Sequence, residues 1–173
     1  AVYQQKEAPD LTTEQERLLD KTYKSFVRSG ANLSEDKQAR LREINKQLSM
    51  LGLTFGDNVL KENNEFELIV DNEEDLAGLP DWFRQSAAEE AKANKQEGKW
   101  KFTLNNSSRL PFLQYSDNRV LREKLYKAYI NRGNNNDKND NKKNITDIIS
   151  LRLEKAQLLG YDCYSNFVLD NTM

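Results

Sequence analysis

The stretch NITDIISLRLEKAQLLG, residues 144–160, is the strongest guide to the fold of this chain. Most of its apolar side chains recur three or four positions apart, the spacing of one helix face; they are Ile145, Ile148, Ile149, Leu151, Leu153, Ala156, Leu158 and Leu159. Asn144 suits the position before a first helical turn, and Gly160 suits the left-handed residue after a last turn. The stretch therefore predicts a helix bounded by Asn144 and Gly160.

A longer helix is predicted after Ser34, whose side chain can cap its first turn. Its apolar positions are again three or four apart and form a narrow seam suited to packing against another helix; they are Leu41, Ile44, Leu48, Leu51, Phe55 and Val59. Gly52 and Gly56 lie near this seam, where each costs about 1 kcal/mol relative to Ala. We therefore expect a neighbouring helix to approach closely at these glycines.

Two shorter helices are predicted in the first half of the chain. Thr13 and Glu16 form a capping box for one of them, and Gly30 ends it. Its apolar stripe consists of Leu18, Leu19, Tyr23, Phe26 and Val27. The other begins at Pro80 and Asp81, and its inward face consists of Trp82, Phe83 and Ala87.

Two further helices are predicted in the second half. One runs from Asn118 to Arg132 after a cap at Ser116 or Asp117, and Gly133 ends it. Its inward residues are Val120, Leu121, Leu125, Ala128 and Tyr129. The last helix covers about residues 163–171.

Residues 66–70 and 100–104 carry the alternating or β-branched pattern of strands. The simplest arrangement pairs them antiparallel, with the intervening helix as their connection. The predicted fold class is therefore mainly α, a single helical domain over residues 1–173 with one small antiparallel, hairpin-like sheet.

Composition excludes several classes of function. The chain carries 26 Lys and Arg against 28 Asp and Glu, a net charge of −2, so it lacks the basic balance typical of nucleic-acid binding. No apolar run approaches the roughly 20 residues that span a bilayer. Cys163 is the only cysteine, which excludes an intrachain disulfide and a thiolate metal cluster. The chain has no histidine, and therefore lacks the commonest zinc ligand and the commonest general base.

The remaining candidate sites each have a structural alternative. Asp137, Asn139 and Asn141 alternate as in a calcium loop, but Lys142 and Ile148 stand where an EF-hand needs Gly and Glu, which favours a solvated loop. Three arginines could clamp a carboxylate or pair with neighbouring helices, and the structural role is the expectation; they are Arg119, Arg122 and Arg132.

Adjacent carboxylates on a helix diverge by about 100°, so the acidic runs 73–75 and 89–90 are predicted to be solvated helix faces rather than an acid–base pair. Four aromatic side chains are expected in the core or at its rim; they are Trp82, Trp100, Tyr115 and Tyr126. We predict no catalytic and no metal-binding residue in this chain, and the residues that bind substrate stay unknown.

Three segments resemble the bacterial peptidyl-dipeptidases of the thimet-oligopeptidase-like zinc metallopeptidase family. Residues 18–33 read LLDKTYKSFVRSGANL, and residues 116–126 read SDNRVLREKLY ahead of Arg132. The third segment is residues 144–173, and its densest similarity is LRLEKAQLLGY at residues 151–161. Residues 76–80 and 100–104 follow the family order as well, so the resemblance covers nearly the whole chain. The peptidyl-dipeptidase branch fits best, with the oligopeptidases close behind.

The resemblance implies a zinc peptidase in which a His-Glu-x-x-His helix and a downstream Glu bind the metal. Those positions lie C-terminal of these segments in the family, so no catalytic, metal or substrate residue is carried over to this chain. Both ends look cut from a longer chain. The resemblance implies an inactive helical piece, part of the wall of a peptide channel, in a parent that releases dipeptides from the C-terminus of short peptides.

The implied partners are the remainder of the parent chain and short peptides, and the surface exposed by the cut implies self-association. The helix from Asn144 and the final helix are expected to carry this apolar surface. A bacterial cytoplasm or periplasm is the expected compartment, because the single Cys163 permits both. The alternative function is a stand-alone, non-catalytic helical binding module on the same scaffold.

Overall fold

The computed structural model describes Tyr3 and residues 11–172 of the chain, and within them the fold is mainly α. The helices are α1 (Thr13–Arg28), α2 (Glu35–Glu65), α3 (Asp81–Ala93), α4 (Asn106–Tyr115), α5 (Arg119–Ile130), α6 (Lys142–Leu158) and α7 (Tyr164–Leu169). A 3-10 turn covers Glu73–Leu76, and the strands are β1 (Leu68–Val70) and β2 (Trp100–Phe102). No helix in the described part is long and apolar enough to cross a membrane.

The two strands form one antiparallel sheet, with Leu68 opposite Phe102 and Val70 opposite Trp100. This confirms the predicted fold class, although the paired strands are shorter than the predicted runs. Phe66 donates its N–H to the Glu62 carbonyl (3.2 Å), a bond at the end of α2, instead of pairing with a strand. Thr103 donates its N–H to Ser108 Oγ (2.9 Å) instead of to a strand.

The chain divides into two compact units, Ala1–Leu51 with Thr146–Met173 and Gly52–Ile145. We call the first the split unit and the second the sheet unit. The boundary falls within α2 and within α6. The prediction of one domain over the whole chain stays a prediction.

The sheet unit is built around one apolar core beneath the sheet. Its buried members are Leu68, Val70, Leu76, Leu79, Phe83, Ala87, Phe102, Leu104, Phe112 and Leu125. The Phe102 ring contacts those of Phe83 and Phe112, with centroids 5.4 and 4.6 Å away, in the tilted and edge-on geometries that aromatic pairs prefer. Alternate strand positions and one face of α3 therefore meet at the same cluster.

Helix α4 was not predicted from the sequence. Pro111 lies inside it, and a proline removes one hydrogen bond from a helix interior and crowds the preceding turn. Phe112 is nevertheless completely buried in the core of the sheet unit. Burial of a whole phenylalanine, worth about 2–3 kcal/mol, offsets most of that local cost.

The split unit buries far less apolar surface. Its fully buried apolar side chains among the described residues are Leu41, Ile44 and Ala156. Helix α1 contributes none of them. Gly30, which ends α1 as predicted, has a φ of +93°, and a Cβ there would meet the Leu41 side chain. The chain reversal after α1 therefore needs glycine for both conformation and space.

Several predicted helix starts were shifted by a few residues. The capping box of α1 is made by Thr12 and Gln15, not by Thr13 and Glu16. Asn118, rather than Ser116 or Asp117, caps α5, because its Oδ1 accepts two backbone N–H groups (3.1 Å each). Helix α6 begins at Lys142, two residues before the predicted cap at Asn144.

The predicted seam of α2 is buried only at its start, since Phe55 near its end is 38% exposed. No atom of the described residues, apart from the helix's own backbone, comes within 4 Å of a Cβ placed on Gly52 or Gly56. The close approach expected at these glycines is therefore absent from this part of the chain. Trp82 and Val120, predicted to face inward, are 60% and 73% exposed because each lies on the outer face of its helix.

Candidate functional site

The acidic runs are not brought together into an acid–base pair. Residues 73–75 lie in the 3-10 turn, where Asp75 accepts a hydrogen bond from Asn118 (2.8 Å). Residues 89–90 lie on α3, where Glu90 is 4.0 Å from the buried ammonium of Lys101. A much closer partner of that ammonium is Glu67 (2.6 Å). Asp75, Glu90 and Glu67 therefore contact an amide and an ammonium of the sheet unit, which is a structural role.

Of the three arginines that could have clamped a carboxylate, Arg119 and Arg122 line one cavity together with Glu123, and Arg132 is not part of it. Arg122 donates to the carbonyl oxygen of Ser116, just before its own helix. Arg132 donates to the Tyr129 carbonyl (2.9 Å) and to Asn63 Oδ1 (3.1 Å). The structural role is therefore observed for both, although their partners are carbonyl and amide oxygens rather than the expected carboxylates.

Arg109 and Arg132 also share one aromatic ring, which the sequence did not predict. Their guanidinium carbons lie 3.6 and 3.9 Å from the centre of Tyr129. Two guanidinium groups so close to one ring must occupy its opposite faces, because side by side they would overlap. The stack desolvates and orients both cations beside the negative faces of the ring.

A buried polar network joins the loop 134–143 to α2. Asn58 donates to Asn141 Oδ1 (3.0 Å), and Glu62 Oε2 accepts the N–H of Gly133 (2.8 Å). Asn141 and Glu62 are only 1% and 8% exposed. Sequence reasoning missed this network, although Asn58 and Glu62 stand four apart beside the apolar seam of α2. The loop is therefore anchored at its ends rather than freely solvated.

The calcium alternative for this loop finds no support in its geometry. Asp137 accepts the N–H of Asn139 (2.9 Å), and Asp140 binds the side chain and N–H of Lys142 and the N–H of Asn136. The Lys142 ammonium, followed by the two N–H groups, lowers the pKa of Asp140 to about 2. These carboxylates bind groups of the loop itself, as in Asx turns.

In the split unit, Arg28 connects α1 to the end of the chain. It donates to Asp170 (2.9 Å), to the Tyr161 hydroxyl (3.2 Å) and to the Phe167 carbonyl (2.6 Å). Its guanidinium carbon also lies 4.3 Å from the centre of the Phe167 ring. One planar cation thus fixes three groups around α7, as the five-donor fork of arginine permits.

Polar contacts join helices α2 and α6 in the split unit. Arg40 forms a two-bond pair with Glu154 (2.6 and 2.7 Å), and Lys155 donates to Asn45 Oδ1 (2.7 Å). Lys155 faces a cavity of about 610 Å³ that is also lined by Lys21 and Arg28. The hydrogen bond to Arg40 lowers the pKa of Glu154, whereas burial lowers the pKa of Lys155.

The donor groups present do not fit a zinc ion. The chain has no histidine and one cysteine, and the described residues contain no group of three His, Cys, Asp or Glu side chains placed to hold a metal. Structural and catalytic zinc sites take their ligands from these side chains, with nitrogen or sulfur donors in most of them. No reaction step is therefore assigned to a metal on this chain.

Comparison with known proteins gives the relationship that the geometry alone does not. The family model for peptidase family M3 matches residues 112–173. Residues 112–173 are thus similar to peptidase family M3. The match begins at Phe112 in α4 and includes α5, α6 and α7, so it covers parts of both the sheet unit and the split unit.

The pairwise similarities extend across the residues before 112 as well. Oligopeptidase A of Haemophilus influenzae is 39% identical over 171 residues, which are 96% of this chain and 25% of the relative. Dipeptidyl carboxypeptidase of Escherichia coli is 31% identical over 173 residues, or 100% of this chain and 25% of the relative. Saccharolysin of Saccharomyces cerevisiae is 28% identical over 170 residues, which are 98% and 23%.

The chain thus spans about a quarter of the length of the curated relatives it matches. The similarities support the M3 family without singling out one branch of it, because oligopeptidase A and dipeptidyl carboxypeptidase both match across nearly the whole chain.

Proposed function

We propose that this chain is a non-catalytic portion of an M3 zinc metallopeptidase that hydrolyses short peptides. The observation that carries the proposal is the 39% identity to oligopeptidase A over 96% of the chain but only 25% of the relative. A chain without histidine cannot supply the nitrogen ligands that such zinc sites use. Its part in the enzyme is then scaffold and a section of the wall of the peptide channel.

The proposed reaction of the parent is release of dipeptides from a free C-terminus. Such an enzyme must hold the terminal carboxylate two residues beyond the scissile bond, and cations or N–H groups do this best. Blocking the carboxylate then removes binding energy that the transition state requires. Zinc and the catalytic residues belong to the remainder of the parent chain, and we propose a bacterial cytoplasm or periplasm as its compartment.

Digests of one short peptide with a free and with an amidated C-terminus test the reaction. The parent, loaded with zinc, should release dipeptides from the free form only, as read by mass spectrometry, and a chelator should stop it. Equal internal cleavage of both forms would assign the parent to an oligopeptidase-type reaction. A reading frame that ends without a His-Glu-x-x-His motif would instead favour the stand-alone binding module.

The isolated chain tests the other half of the proposal. Calorimetry should show no stoichiometric, submicromolar zinc binding, and the pure chain should leave a blocked peptide intact. Exposed apolar side chains on α6, such as Ile149 at 61% exposure, should lead to concentration-dependent self-association in light scattering. Ile149→Glu should restore the monomer, and a wild-type chain that stays monomeric at high concentration would contradict this part.

A further inference from the structure

The cavity in the split unit has an unusual charge balance. Its charged lining residues are the cations Lys21, Arg28 and Lys155, and its other lining residues are two serines, two asparagines and Leu41. Among the described residues, no carboxylate lines it. A cavity of about 610 Å³ is large enough for a small molecule rather than a single water, which occupies about 30 Å³ in the liquid.

Lys155 is the most informative of these cations. Its Nζ donates to the neutral Oδ1 of Asn45 (2.7 Å), and no ion pair in the described part of the chain includes it. Burial alone lowers the pKa of this ammonium. A partly buried charge without a counter-ion is unfavourable, and an anion that enters the cavity would relieve that cost.

The other two cations, Arg28 and Lys21, differ in how their side chains are held. Arg28 is held by Asp170, Tyr161 and the Phe167 carbonyl, so its guanidinium is a fixed part of the wall. Lys21 forms no ion pair within the described residues, since the nearby Asp20 pairs with Lys24 (3.1 Å). The carboxylate of Asp170 compensates the charge of Arg28. The charges of Lys155 and Lys21 have no carboxylate partner among the described residues.

We propose that this cavity binds a small oxyanion carrying a phosphate or carboxylate group, with Lys155 and Lys21 as its charge partners and Arg28 as the fixed wall. Ammonium and guanidinium groups are the side chains that bind such oxygens through charge-assisted hydrogen bonds. The Asn45 amide, whose Oδ1 accepts from Lys155, adds an NH₂ donor beside the same position. The described lining residues of this cavity all belong to the split unit.

The test uses the 173-residue chain with inorganic phosphate, acetate and chloride at equal ionic strength. Phosphate or acetate should raise the Tm in a saturable way, because a ligand that binds only the folded state stabilises it. Chloride at the same ionic strength should not. A response to phosphate alone assigns a phosphate ligand, and a response to acetate assigns a carboxylate. If neither phosphate nor acetate produces a saturable shift of the Tm, the proposal is overturned.

Variants locate the site. Lys155→Gln should weaken anion binding about tenfold or more, the loss expected for one charge-assisted hydrogen bond. Lys21→Gln should weaken it less, because Lys21 is the more exposed partner. Lys92→Gln is the matched control, since Lys92 is an exposed lysine on α3 in the sheet unit and pairs with Glu97. An undiminished response in both Lys155→Gln and Lys21→Gln overturns the proposal.

A direct measurement on the unmutated chain tests the site without depending on whether the variants fold. The ¹³Cε resonance of Lys155 follows the charge of its ammonium through a pH titration. A bound anion favours the charged form, so saturating phosphate or acetate should raise the titration midpoint of Lys155 and leave that of Lys92 unchanged. Equal movement of both lysines, or of neither, contradicts a site at Lys155.

Discussion

The sheet unit and the split unit both contain helices, but different kinds of contact stabilise the two units. The sheet unit clusters ten buried apolar side chains around β1 and β2, whereas the described part of the split unit buries three. In the split unit the defining contacts are polar: the Arg28 fork and the pair between Arg40 and Glu154. Surface ion pairs contribute about 0–1 kcal/mol each, much less than a buried aromatic side chain.

The exposed side chains show the same contrast. On α1, Leu18 and Phe26 are 67% and 62% exposed, and on α6 Ile149 is 61% exposed. Amphipathic helices normally turn such a stripe toward a core. Helical periodicity in the split unit therefore exceeds the apolar burial that its described residues provide. In the sheet unit a core of ten buried side chains forms, although Trp82 and Val120 remain exposed. The comparison teaches that a good helical pattern does not by itself guarantee a core.

The largest expected effect comes from the core of the sheet unit. Phe102→Ala removes a completely buried ring and should lower the free energy of unfolding by about 3–5 kcal/mol, as measured by urea denaturation. The matched control in the split unit is Phe26→Ala, a ring that is 62% exposed and should cost less than about 1 kcal/mol. Equal losses in the two variants would contradict the contrast between the units.

A pair of glycines separates packing from backbone strain within the sheet unit. Gly78 and Gly98 both have a φ of +83°, but a Cβ on Gly78 would overlap the Tyr115 carbonyl oxygen, whereas Gly98 faces open space. Gly98→Ala should cost about 1–2 kcal/mol for the left-handed conformation alone. Gly78→Ala should cost a further 1–3 kcal/mol or so for overpacking. Thermal unfolding of the two variants side by side measures the difference, and similar Tm values would refute it.

Arg28 tests whether polar contacts hold the split unit. Arg28→Ala removes three hydrogen bonds and should destabilise the packing of α7 by roughly 1–2 kcal/mol, after allowance for solvent screening at the exposed Asp170. Amide hydrogen exchange of residues 164–170 reports this directly. Arg28→Lys keeps the charge without the planar fork and should recover only part of the protection. Unchanged exchange in Arg28→Ala would show that α7 is held by other contacts.

The smallest expected effect is a pH dependence at Asp140 in the sheet unit. Its pKa is lowered from 3.8 to about 2 by the Lys142 ammonium and backbone N–H groups. Because the folded value is the lower one, Asp140 stabilises the loop above about pH 4, and this contribution disappears as the pH falls toward 2. NMR titration of the Asp140 carboxyl should show the low midpoint, and Asp140→Asn should remove this part of the acid dependence. A midpoint near 3.8 would show that the loop contacts are not kept in solution.

Local sequence patterns predicted most of the helices correctly and their ends less well. The apolar stripe of α6 and the glycines after α1 and α6 are local features of the sequence. The helices that they predict could therefore be identified without knowledge of the rest of the fold. Helix α4 was missed because the local rule against an interior proline is overruled by burial of Phe112. Trp82 was predicted to face inward together with Phe83, but consecutive residues of α3 point about 100° apart, and only Phe83 is buried.

Some features of the candidate sites could likewise be predicted from the sequence, and others depend on tertiary packing. Composition alone shows that the chain has no histidine and one cysteine, and segment similarity alone indicates a resemblance to a peptidase family. The stack of Arg109 and Arg132 on Tyr129 could not be predicted, because these residues come from different elements that only packing brings together. The buried network of Asn58 and Asn141 joins residues 83 positions apart for the same reason.

The sequence by itself determined the helical class, the antiparallel pairing of two short strands and the relationship to a peptidase family, since periodicity and similarity are written in consecutive residues. Tertiary structure alone decided which apolar faces are buried, which arginine contacts which partner and that Lys155 faces a cavity with no carboxylate among its described lining residues. Those outcomes depend on distances between residues far apart in the chain. Burial and the local dielectric, which set the strength of each polar contact, exist only once the chain is packed.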